Sequence, residues 1–577
     1  MIYSAEELKI APWLSSYGDV PFHLDYPDTS IVTALMESRK RDPKQTAISF
    51  QDKKWSFEDV AENIKATAKA FAALGIKKGD KVTVCLPNTP QGVYCLYAIN
   101  YIGAVASMIH PLSAVHEIAF YLKEAGSKTL ITLDQFYAKA QKVREVAELD
   151  HLIIARISDV LNPVKSAAYK MLKERKFPKV VEDGCVIKWN HFIHNGLSYK
   201  EDPYVEKNGQ DIAVILFSGG TTGTSKGIQL TNLNFNALAY QTGTMCHNII
   251  AKKKMLAAMP IFHGFGLGVC IHTMMFFGGE SILVPQVSVK GYAHLLKTSQ
   301  PNYIAGVPTL FEGITRNKEM EGVDLSCLMG VFSGGDTLPV ELKKKIDKFL
   351  LEHNASVRVR EGYGTTECVT ASCLTPYNKE KEGSIGLPFP DTYYKICKPG
   401  TQEEVPYGEE GEICLRGKTV MLGYINHEQE NADTLQKHAD GHIWLHTGDV
   451  GYMDEEGFIF FRQRIKRMIV TSGYNVYPSQ LENIINEIDE VRASCCIGVP
   501  DTYKMHRVKA FIVLNDGILP SEEVKTKILN HCREHIAKYA MPSEIEFRDD
   551  LPKTLVGKIA YTVLEKEEEE KRKSAAN

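Results

Sequence analysis

Helix-like stretches alternate with short apolar strand patterns through much of this sequence. The pattern of residues 57–74 is typical of a helix, residues 81–86 (KVTVCL) form a buried strand pattern, and another helix-like stretch starts at Gln91. Further strand patterns, each bounded by Gly, Pro, Asp or Asn, lie at 128–133, 212–218, 255–259 and 281–284. This alternation is the signature of an α/β fold.

The chain has 577 residues, more than one hydrophobic core usually holds, so we expect at least two domains. After Gly411 the texture changes to short strands and turns, and residues 479–540 are typical of a helix, a strand and a helix. The break at 462–464 predicts a large multi-sheet N-terminal domain at 1–462 and a smaller α+β C-terminal domain at 463–577. The charge run at 565–577 (EKEEEEKRKSAAN) predicts a frayed or disordered end.

Composition excludes several classes of protein. The chain has 67 basic and 71 acidic side chains and a net charge of −4, so no overall field favours nucleic acid. Residues 1–20 lack a secretory signal pattern, and the longest apolar stretch, at 264–279, is too short to span a bilayer, so we expect a cytoplasmic protein. The 13 cysteines include no CxxC pair, which favours reduced and mostly buried thiols. The adjacent Cys495 and Cys496 are expected on a buried strand.

A glycine-rich loop follows the strand pattern at 212–218. Residues 215–227 (ILFSGGTTGTSKG) offer backbone amides, hydroxyls and an ammonium group that can surround a phosphate. The loop is not a Walker motif, because that motif has Gly before the Lys and Ser or Thr after it. Without further context, a flexible surface turn would be the simpler interpretation. The candidate phosphate-binding residues are Ser218, Gly219, Gly220, Thr221, Thr222, Gly223 and Lys226.

This loop resembles the phosphate loop of the adenylate-forming superfamily, which contains acyl-CoA synthetases, peptide-synthetase adenylation domains and luciferases. Five further motifs follow in the order typical of that superfamily: SGGDTLP at 333–339, EGYGTTE at 361–367, HTGDVG at 446–451, RQRIKRMIVTSGYNVYPSQLE at 462–482 and LPKTLVGKI at 551–559. The resemblance covers nearly the whole chain. It implies an enzyme that uses ATP, Mg²⁺ and coenzyme A to activate a small-molecule carboxylic acid.

The resemblance implies a role for several charged and hydroxyl side chains. Making an acyl-adenylate brings a carboxylate onto the α-phosphate of ATP, so the site needs a metal and cations. Glu367 is the implied Mg²⁺ ligand, with Ser218 or Thr222 as helpers, and Thr366 is implied to bond the α-phosphate. Lys558 is implied to be the catalytic cation between carboxylate and phosphate. Taken singly, each would be interpreted as a solvated side chain.

The base and the ribose are assigned by the same resemblance. Tyr363 offers a flat face for adenine, Asp449 is the expected acceptor for the ribose hydroxyls, and Arg464 reaches the same sugar. Many relatives have a small residue where this chain has Asp336, so a direct contact of that side chain with the base is doubtful. The other nucleotide-site candidates are Gly334, Gly335, Glu361, Gly362, Gly364, Thr365 and Lys466.

A second half-reaction requires the thiol of coenzyme A to reach the adenylate. Related enzymes rotate a mobile C-terminal domain, and the hinge that is often Asp or Lys is Gln463 here. Gly473 is similar to the glycine over which the pantetheine arm passes, although an ordinary turn glycine is the alternative. His263 lies where relatives place a residue between the acyl pocket and the thiol tunnel. A structural histidine is equally expected there.

Two segments indicate which acid is activated. Residues 160–180 predict a basic amphipathic helix with Val164, Ala168, Met171 and Leu172 on one face. Docking of this helix on its own core is the simpler expectation, and a weak membrane-surface contact is the alternative. Residues 305–314 (AGVPTLFEGI) are similar to the start of a helix that lines fatty-acyl tunnels. A medium- or long-chain fatty acid is therefore expected, with an aryl or other hydrophobic acid as the alternative.

Other functions stay open at this point. An enzyme that loads a separate acyl carrier protein would have the same motifs. A non-catalytic binding protein is disfavoured by the joint presence of Glu367, Asp449, Arg464 and Lys558. A luciferase-like oxygenase would share the fold, but no residue favours it. A homodimer is also among the expectations.

Overall fold

The structure is a computed structural model that describes residues 4–218, 225–471, 474–501, 505–536, 538–554 and 557–576. Its strands are β1 Thr46–Phe50, β2 Lys53–Ser56, β3 Lys81–Cys85, β4 Val105–Met108, β5 Thr129–Leu133, β6 His151–Ala155, β7 Val186–Lys188, β8 Ile212–Phe217, β9 Gly227–Thr231, β10 Lys254–Ala257, β11 Glu280–Leu283, β12 Tyr303–Gly306, β13 Gly330–Ser333, β14 Val359–Tyr363, β15 Cys373–Leu374, β16 Leu387–Pro388, β17 Tyr393–Cys397, β18 Gly411–Arg416, β19 Gly423–Tyr424, β20 Leu435–Lys437, β21 Ile443–Met453, β22 Ile459–Arg464, β23 Ile469–Thr471, β24 Tyr474–Val476, β25 Val491–Asp501, β26 Met505–Leu514 and β27 Glu544–Phe547.

The α-helices are α1 Ala5–Ile10, α2 Ile31–Arg41, α3 Phe57–Ala73, α4 Pro90–Tyr101, α5 Val115–Ala125, α6 Tyr137–Val146, α7 Pro163–Leu172, α8 Trp189–Gly196, α9 Asn232–Met245, α10 Thr273–Phe277, α11 Val289–Ser299, α12 Pro308–Thr315, α13 Val340–Glu352, α14 Glu428–Thr434, α15 Pro478–Asn486, α16 Glu522–His535 and α17 Tyr561–Ala576. A π-helix, Phe265–His272, directly precedes α10. Among the residues that the structure describes, no helix has both the length and the apolar composition needed to span a bilayer.

Local sequence signals explain where helices such as α3 begin and which face they bury. The Ser56 hydroxyl accepts the Asp59 N–H, and the Asp59 carboxylate accepts the Ser56 N–H, which completes a capping box. Val60, Ile64 and Phe71 recur at helical spacing and are buried, so α3 packs one face onto the core. The predicted helix at 57–74 is confirmed by this element.

Two large sheets form the greater part of the molecule. The first runs β16-β15-β14-β13-β12-β10-β11-β1-β2, and its strands from β14 through β1 are parallel. The second runs β19-β9-β8-β4-β3-β5-β6-β7, and its strands from β8 through β7 are parallel. The strands predicted at 81–86, 128–133, 212–218, 255–259 and 281–284 correspond to β3, β5, β8, β10 and β11.

Two smaller sheets complete the fold. The antiparallel third sheet runs β17-β18-β21-β20, with β22 paired to β21. The fourth runs β24-β23-β26-β25, with β27 paired to β26, and the buried side chains on its faces form clusters of their own. This architecture confirms the predicted α/β class with a large multi-sheet part and a smaller α+β part. The region 479–540 contains two strands, β25 and β26, where one was predicted; Cys495 and Cys496 lie buried on β25 as expected.

Residues 160–180 contain a helix that docks on the core, since the partly buried Tyr169 packs against the main hydrophobic cluster, but the predicted apolar face is not the face that docks. The α-helix α7 is shorter, Pro163–Leu172, and none of its residues is buried. The predicted apolar face points outward, since Val164 is 81%, Met171 63% and Leu172 56% exposed. The opposite side of α7 attaches instead, through the Ser166 hydroxyl, which donates to the Ser158 carbonyl at 2.9 Å.

The predicted disorder of residues 565–577 is also wrong for the described part. The helix α17 runs Tyr561–Ala576, because its charges have fixed partners. Lys509, which is 3% exposed, holds Glu568 at 2.9 Å and Glu546 at 2.8 Å, and Arg548 donates to Glu567 at 2.8 Å. A charge run alone does not reveal that a buried lysine on β26 faces it.

We expect Leu564→Ala to destabilise the C-terminal sheet, because Leu564 is 0% exposed and packs with Phe511 and Val513. Removing a buried leucine costs about 2–5 kcal/mol. Val563→Ala is the matched control, since Val563 is 43% exposed; it should change the unfolding free energy by less than about 0.5 kcal/mol. Urea denaturation followed by fluorescence measures both. Equal, small effects would contradict the docking of α17.

Candidate functional site

A cavity of about 1200 Å³ opens where the carboxyl ends of the parallel strands meet. Ser218 follows β8, His263 follows β10, and Asp336 follows β13, while Tyr363 ends β14. Lys558 reaches the same space from the C-terminal region. Open α/β sheets bind ligands at this edge, because loops of variable sequence follow each strand there. The topology therefore brings together residues that are far apart in the chain.

Asp449 and Arg464 face each other across β21 and β22. Arg464 Nε lies 3.2 Å from Asp449 Oδ1, and the Tyr363 hydroxyl donates to Oδ2 at 2.7 Å. Burial raises the pKa of Asp449, and the Arg464 charge opposes that rise. Arg464 approaches Oδ1 as an ion pair but not with hydrogen-bond geometry, and no other described residue donates to that oxygen. Oδ1 is buried in this arrangement and keeps unused hydrogen-bonding capacity, while Asp449 as a whole lines the cavity.

Backbone hydrogen bonds to Thr554 hold Lys558 at the cavity wall. The Lys558 N–H donates to the Thr554 hydroxyl at 3.1 Å, and the Thr554 N–H donates back to the Lys558 carbonyl at 2.7 Å. From the large part of the molecule, the Thr309 hydroxyl donates to the Gly557 carbonyl at 3.1 Å. Lys558 Cε lies 3.6 Å from where a Cβ on Gly335 would be, so the side chain passes over the 333–339 loop. Burial lowers the pKa of Lys558, and nearby Asp336 opposes this effect.

Glu367 and Ser218 both line the cavity. One oxygen, Oε1, accepts the Tyr424 hydroxyl at 2.8 Å, which orients the carboxylate. The Ser218 hydroxyl accepts the Lys226 N–H at 3.0 Å. A hard divalent cation prefers such oxygen donors, so Glu367 and Ser218 fit the requirements of Mg²⁺. The third predicted metal ligand, Thr222, lies outside the described residues.

His263 stands in the cavity wall as a neutral imidazole. Burial is the main cause that lowers the pKa of His263 to about 3, and the positive charge of Lys558 is the second cause. Its Nδ1 accepts the Phe265 N–H at 3.2 Å. A Cβ on Gly264 would lie 1.5 Å from the Val369 carbonyl oxygen, so only glycine fits between the 260–266 loop and the turn after Glu367. Val369 itself has a φ of 66°, a strained value for a β-branched residue.

A narrow apolar pocket of about 40 Å³ adjoins the cavity behind the glycine loops. Its large apolar side chains are Phe265, Val269, Phe332, Leu374 and Phe389, and Gly334 and Gly362 also line it, with smaller side chains that include Thr242 and Thr370. Phe265 Cε1 lies 3.5 Å from where a Cβ on Gly334 would be, so this ring rests against the loop. The pocket can take an apolar group whose polar end stays in the main cavity.

The predicted site residues divide into three groups. Those that line the main cavity are Ser218, His263, Gly335, Asp336, Glu361, Gly362, Tyr363, Gly364, Thr366, Glu367, Asp449, Arg464 and Lys558. Those in its surroundings or on the surface are Lys226, Gly334, Thr365 and Lys466. Those outside the described residues are Gly219, Gly220, Thr221, Thr222, Gly223 and Gly473.

Two of the predicted lysines lie away from the cavity. Lys226 Nζ is 3.5 Å from Glu430 Oε1 and 5.0 Å from the centre of the Tyr424 ring. Lys466 is exposed on the turn after β22. Glu361 reaches the cavity as a buried group, and burial raises the pKa of this carboxyl to about 8, so it is largely neutral at physiological pH.

Several side chains that shape the site were not predicted from the sequence. Tyr424 orients Glu367, Thr309 holds the Lys558 turn, and Arg467 lines the cavity next to Gln463. Gln463 is 1% exposed, and neither polar atom of its amide has a partner among the described residues. Tyr424 stands in no charged or glycine-rich motif, and Thr309 lies in the segment 305–314, which was predicted to line an acyl tunnel and not to hold the Lys558 segment.

Comparisons with known proteins agree with this geometry. The family model for the AMP-binding enzyme matches residues 35–425, and that for the AMP-binding enzyme C-terminal domain matches residues 480–558. A long-chain-fatty-acid–CoA ligase of Bacillus subtilis (strain 168) is 34% identical, with 97% of this chain and 98% of the relative covered. A long-chain-fatty-acid–CoA ligase of Escherichia coli O6:H1 is 32% identical, with 95% and 96% covered.

The crystal structure of the anthranilate CoA ligase AuaEII with anthranoyl-AMP is similar in fold, with a TM-score of 0.82 and 23% identity. The similarity extends over 97% of this chain and 100% of the ligase chain. The fold is thus that of adenylate-forming enzymes. The chain belongs to the AMP-binding enzyme family, which confirms the superfamily that the motifs predicted.

Proposed function

We propose that this protein is an ATP-dependent acid–CoA ligase. It joins a carboxylate to ATP as acyl-AMP with loss of pyrophosphate, and then passes the acyl group to the thiol of coenzyme A with loss of AMP. The observation that supports this most directly is the convergence of Glu367, Asp449, Arg464 and Lys558 in one cavity. Such a set can bind a sugar hydroxyl pair, a metal-bound phosphate and a second anion together.

In the first half-reaction, the Asp449 carboxylate, whose Oδ1 has no hydrogen-bond donor among the described residues, accepts the ribose hydroxyls, and the Arg464 charge opposes the rise in pKa that burial causes at Asp449. Glu367 and Ser218 would hold Mg²⁺, which supplies positive charge to the phosphates when bound. The Lys558 ammonium balances the charge of the carboxylate and the α-phosphate as the new bond forms. Neutral His263 can line the acyl path without adding a further cation.

We further propose that the C-terminal domain, 463–577, is mobile and turns about Gln463 against the domain 1–462 between the two half-reactions. Thr309 binds Gly557 at 3.1 Å, and Arg316 binds Asp516 at 2.8 Å, so the described arrangement favours the first half-reaction. Both contacts are single polar interactions of modest net strength, about 0.5–1.5 kcal/mol for the first and about 0–1 for the second. Breaking these two contacts therefore requires little free energy.

The substrate we favour is a medium- or long-chain fatty acid. The named activity of the relatives and the apolar lining of the narrow pocket support this choice. The pocket is too small for a long chain with Phe265 in place, so that ring must turn aside as the chain enters. An aryl acid is the alternative that the same pocket would accept, and a carrier protein is the alternative acceptor for the acyl group.

If the substrate is a fatty acid, then octanoate, palmitate and oleate should be used far better than acetate. Each buried methylene contributes about 0.8 kcal/mol, or roughly fourfold in specificity constant until the pocket is full. The assay contains ATP, Mg²⁺, coenzyme A and one acid, and mass spectrometry identifies the thioester. Benzoate and 4-coumarate test the aryl alternative. A preference for acetate or for an aryl acid would end the fatty-acid proposal.

Lys558→Ala should slow pyrophosphate release by about 10²–10³, because one preorganised electrostatic contact is lost. The same variant, given synthetic acyl-adenylate and coenzyme A, should form thioester at close to the wild-type rate. Lys553→Ala is the matched control, since Lys553 is in the same segment but pairs with Asp550 at the surface. Unchanged pyrophosphate release in Lys558→Ala would refute the catalytic role; loss of both half-reactions would indicate that Lys558 only holds the domain.

We also propose that α7 touches an anionic membrane surface. Val164, Met171 and Leu172 form an exposed apolar strip, and the neighbouring exposed basic residues have no ion pair among the described residues. These residues are Lys170, Lys173, Arg175, Lys176 and Lys179. Together they match an interfacial helix, which inserts an apolar face while cations meet lipid phosphates. A cytoplasmic location and a homodimer stay predictions.

Vesicle sedimentation measures the membrane contact. The protein should pellet with phosphatidylglycerol vesicles, less with phosphatidylcholine vesicles, and less at high salt. Replacing Val164, Met171 and Leu172 by serine should reduce pelleting at least about tenfold, since each buried apolar side chain contributes about 1.5–3 kcal/mol when fully inserted. Leu351→Ser is the control, because Leu351 is 73% exposed elsewhere. Unchanged pelleting of the triple variant would refute the role of α7.

A further inference from the structure

A cluster of metal-ligand side chains lies on one face of the third sheet. Glu412 and Cys414 alternate on β18, so their side chains point to the same face. Cys397 on β17 is paired opposite Glu412, and His446 on β21 is paired opposite Cys414. The register of three adjacent strands therefore places two thiols, an imidazole and a carboxylate together.

The side-chain atoms of this cluster are in contact. His446 Nδ1 lies 2.9 Å from Glu412 Oε2 and 3.5 Å from Cys414 Sγ. The ligand atoms of Glu412, Cys414 and His446 all lie within 4.8 Å of one another. Cys397 packs with Cys414 in one buried cluster, and its thiol donates to the Gln402 carbonyl at 3.9 Å, so its side chain must turn to become the fourth ligand. Both cysteines are 0% exposed, and Glu412 and His446 are 6% and 7% exposed.

One of these separations matches a tetrahedral zinc site, and the other is shorter than such a site requires. With Zn–S near 2.3 Å and Zn–N near 2.0–2.1 Å, the sulfur and nitrogen ligands of a tetrahedron stand about 3.6 Å apart. The observed sulfur-to-nitrogen distance of 3.5 Å is close to that value. The nitrogen-to-oxygen pair, at 2.9 Å, needs to open by about half an ångström.

The surroundings orient the ligands as metal sites require. His438 Nε2 lies 2.9 Å from His446 Nε2, so the second nitrogen of His446 is engaged and Nδ1 is the one that faces the cluster. The other carboxylate oxygen of Glu412 accepts the Gly448 N–H at 2.9 Å. Two thiolates and a carboxylate leave one negative charge around Zn²⁺, and Lys395, paired opposite Cys414 on β17, supplies a balancing cation.

We propose that Cys397, Glu412, Cys414 and His446 form a structural zinc site that is separate from the catalytic cavity. A disulfide fits less well, because Cys397 and Cys414 stand on a diagonal of the ladder. Diagonal Cα atoms are typically about 7–8 Å apart, beyond the range that a disulfide spans. The site would make β21 more rigid. Because Asp449 is also on β21, the proposed ribose-binding carboxylate would move less.

The experiment measures metal on the full chain purified without a metal-chelating tag. Elemental analysis should find about one zinc per chain, and replacement by Co²⁺ should produce a near-ultraviolet thiolate charge-transfer band with tetrahedral visible bands. Cys397→Ser with Cys414→Ser should lose both the zinc and that band. The control, Cys185→Ser with Cys327→Ser, changes two cysteines elsewhere and should keep them.

Several results would overturn the site. One is wild-type protein that takes up neither Zn²⁺ nor Co²⁺ after chelation and titration, a measurement that does not depend on any variant folding. Another is an intact mass lower by two hydrogens with Cys397 and Cys414 joined in one peptide. A third is zinc that persists in the Cys397/Cys414 variant but is lost in His531→Ala, which would place the ion at the exposed cluster of Glu487, His531 and His535.

Discussion

The meeting of two parallel sheets at their carboxyl ends is the constraint on which the site depends. Parallel strands all leave a sheet at the same edge, so the loops after β8, β10, β13 and β14 must gather there. The glycines at 264 and 364 let these loops approach to distances that any Cβ would block. Rigid sheets thus position loops whose own hydrogen bonds would not hold them.

Charge inside this cavity is arranged in opposed pairs. Arg464 counters the effect of burial on the pKa of Asp449, and Asp336 counters the effect of burial on the pKa of Lys558. An unpaired buried charge would instead neutralise itself by a pKa shift, as burial drives Glu361 and His263 to do. The cavity therefore combines ionised groups for binding anions with neutral groups along its wall.

The contact between Thr309 and Gly557 bears on both the proposed catalytic role of Lys558 and the proposed domain movement. That hydrogen bond ties the Lys558 turn to α12, which itself begins at the end of β12. The lysine reaches the cavity because two regions of the chain dock, and its departure requires them to separate. The zinc site lies in a different sheet and stands or falls independently of this motion.

The sequence by itself determined the strand and helix alternation, the family and a group of motif residues that line the cavity, because these depend on local patterns of polarity and on short motifs. It did not reveal that Tyr424 orients Glu367 or that Thr309 holds Gly557, since both partners are distant in the chain and neither contact has a local signal. The charged tail is helical because Lys509 pairs with Glu568. The apolar strip on α7 faces outward because the opposite side of that helix contacts Ser158. Periodicity shows that a helix has an apolar face, but only tertiary packing decides whether that face is covered.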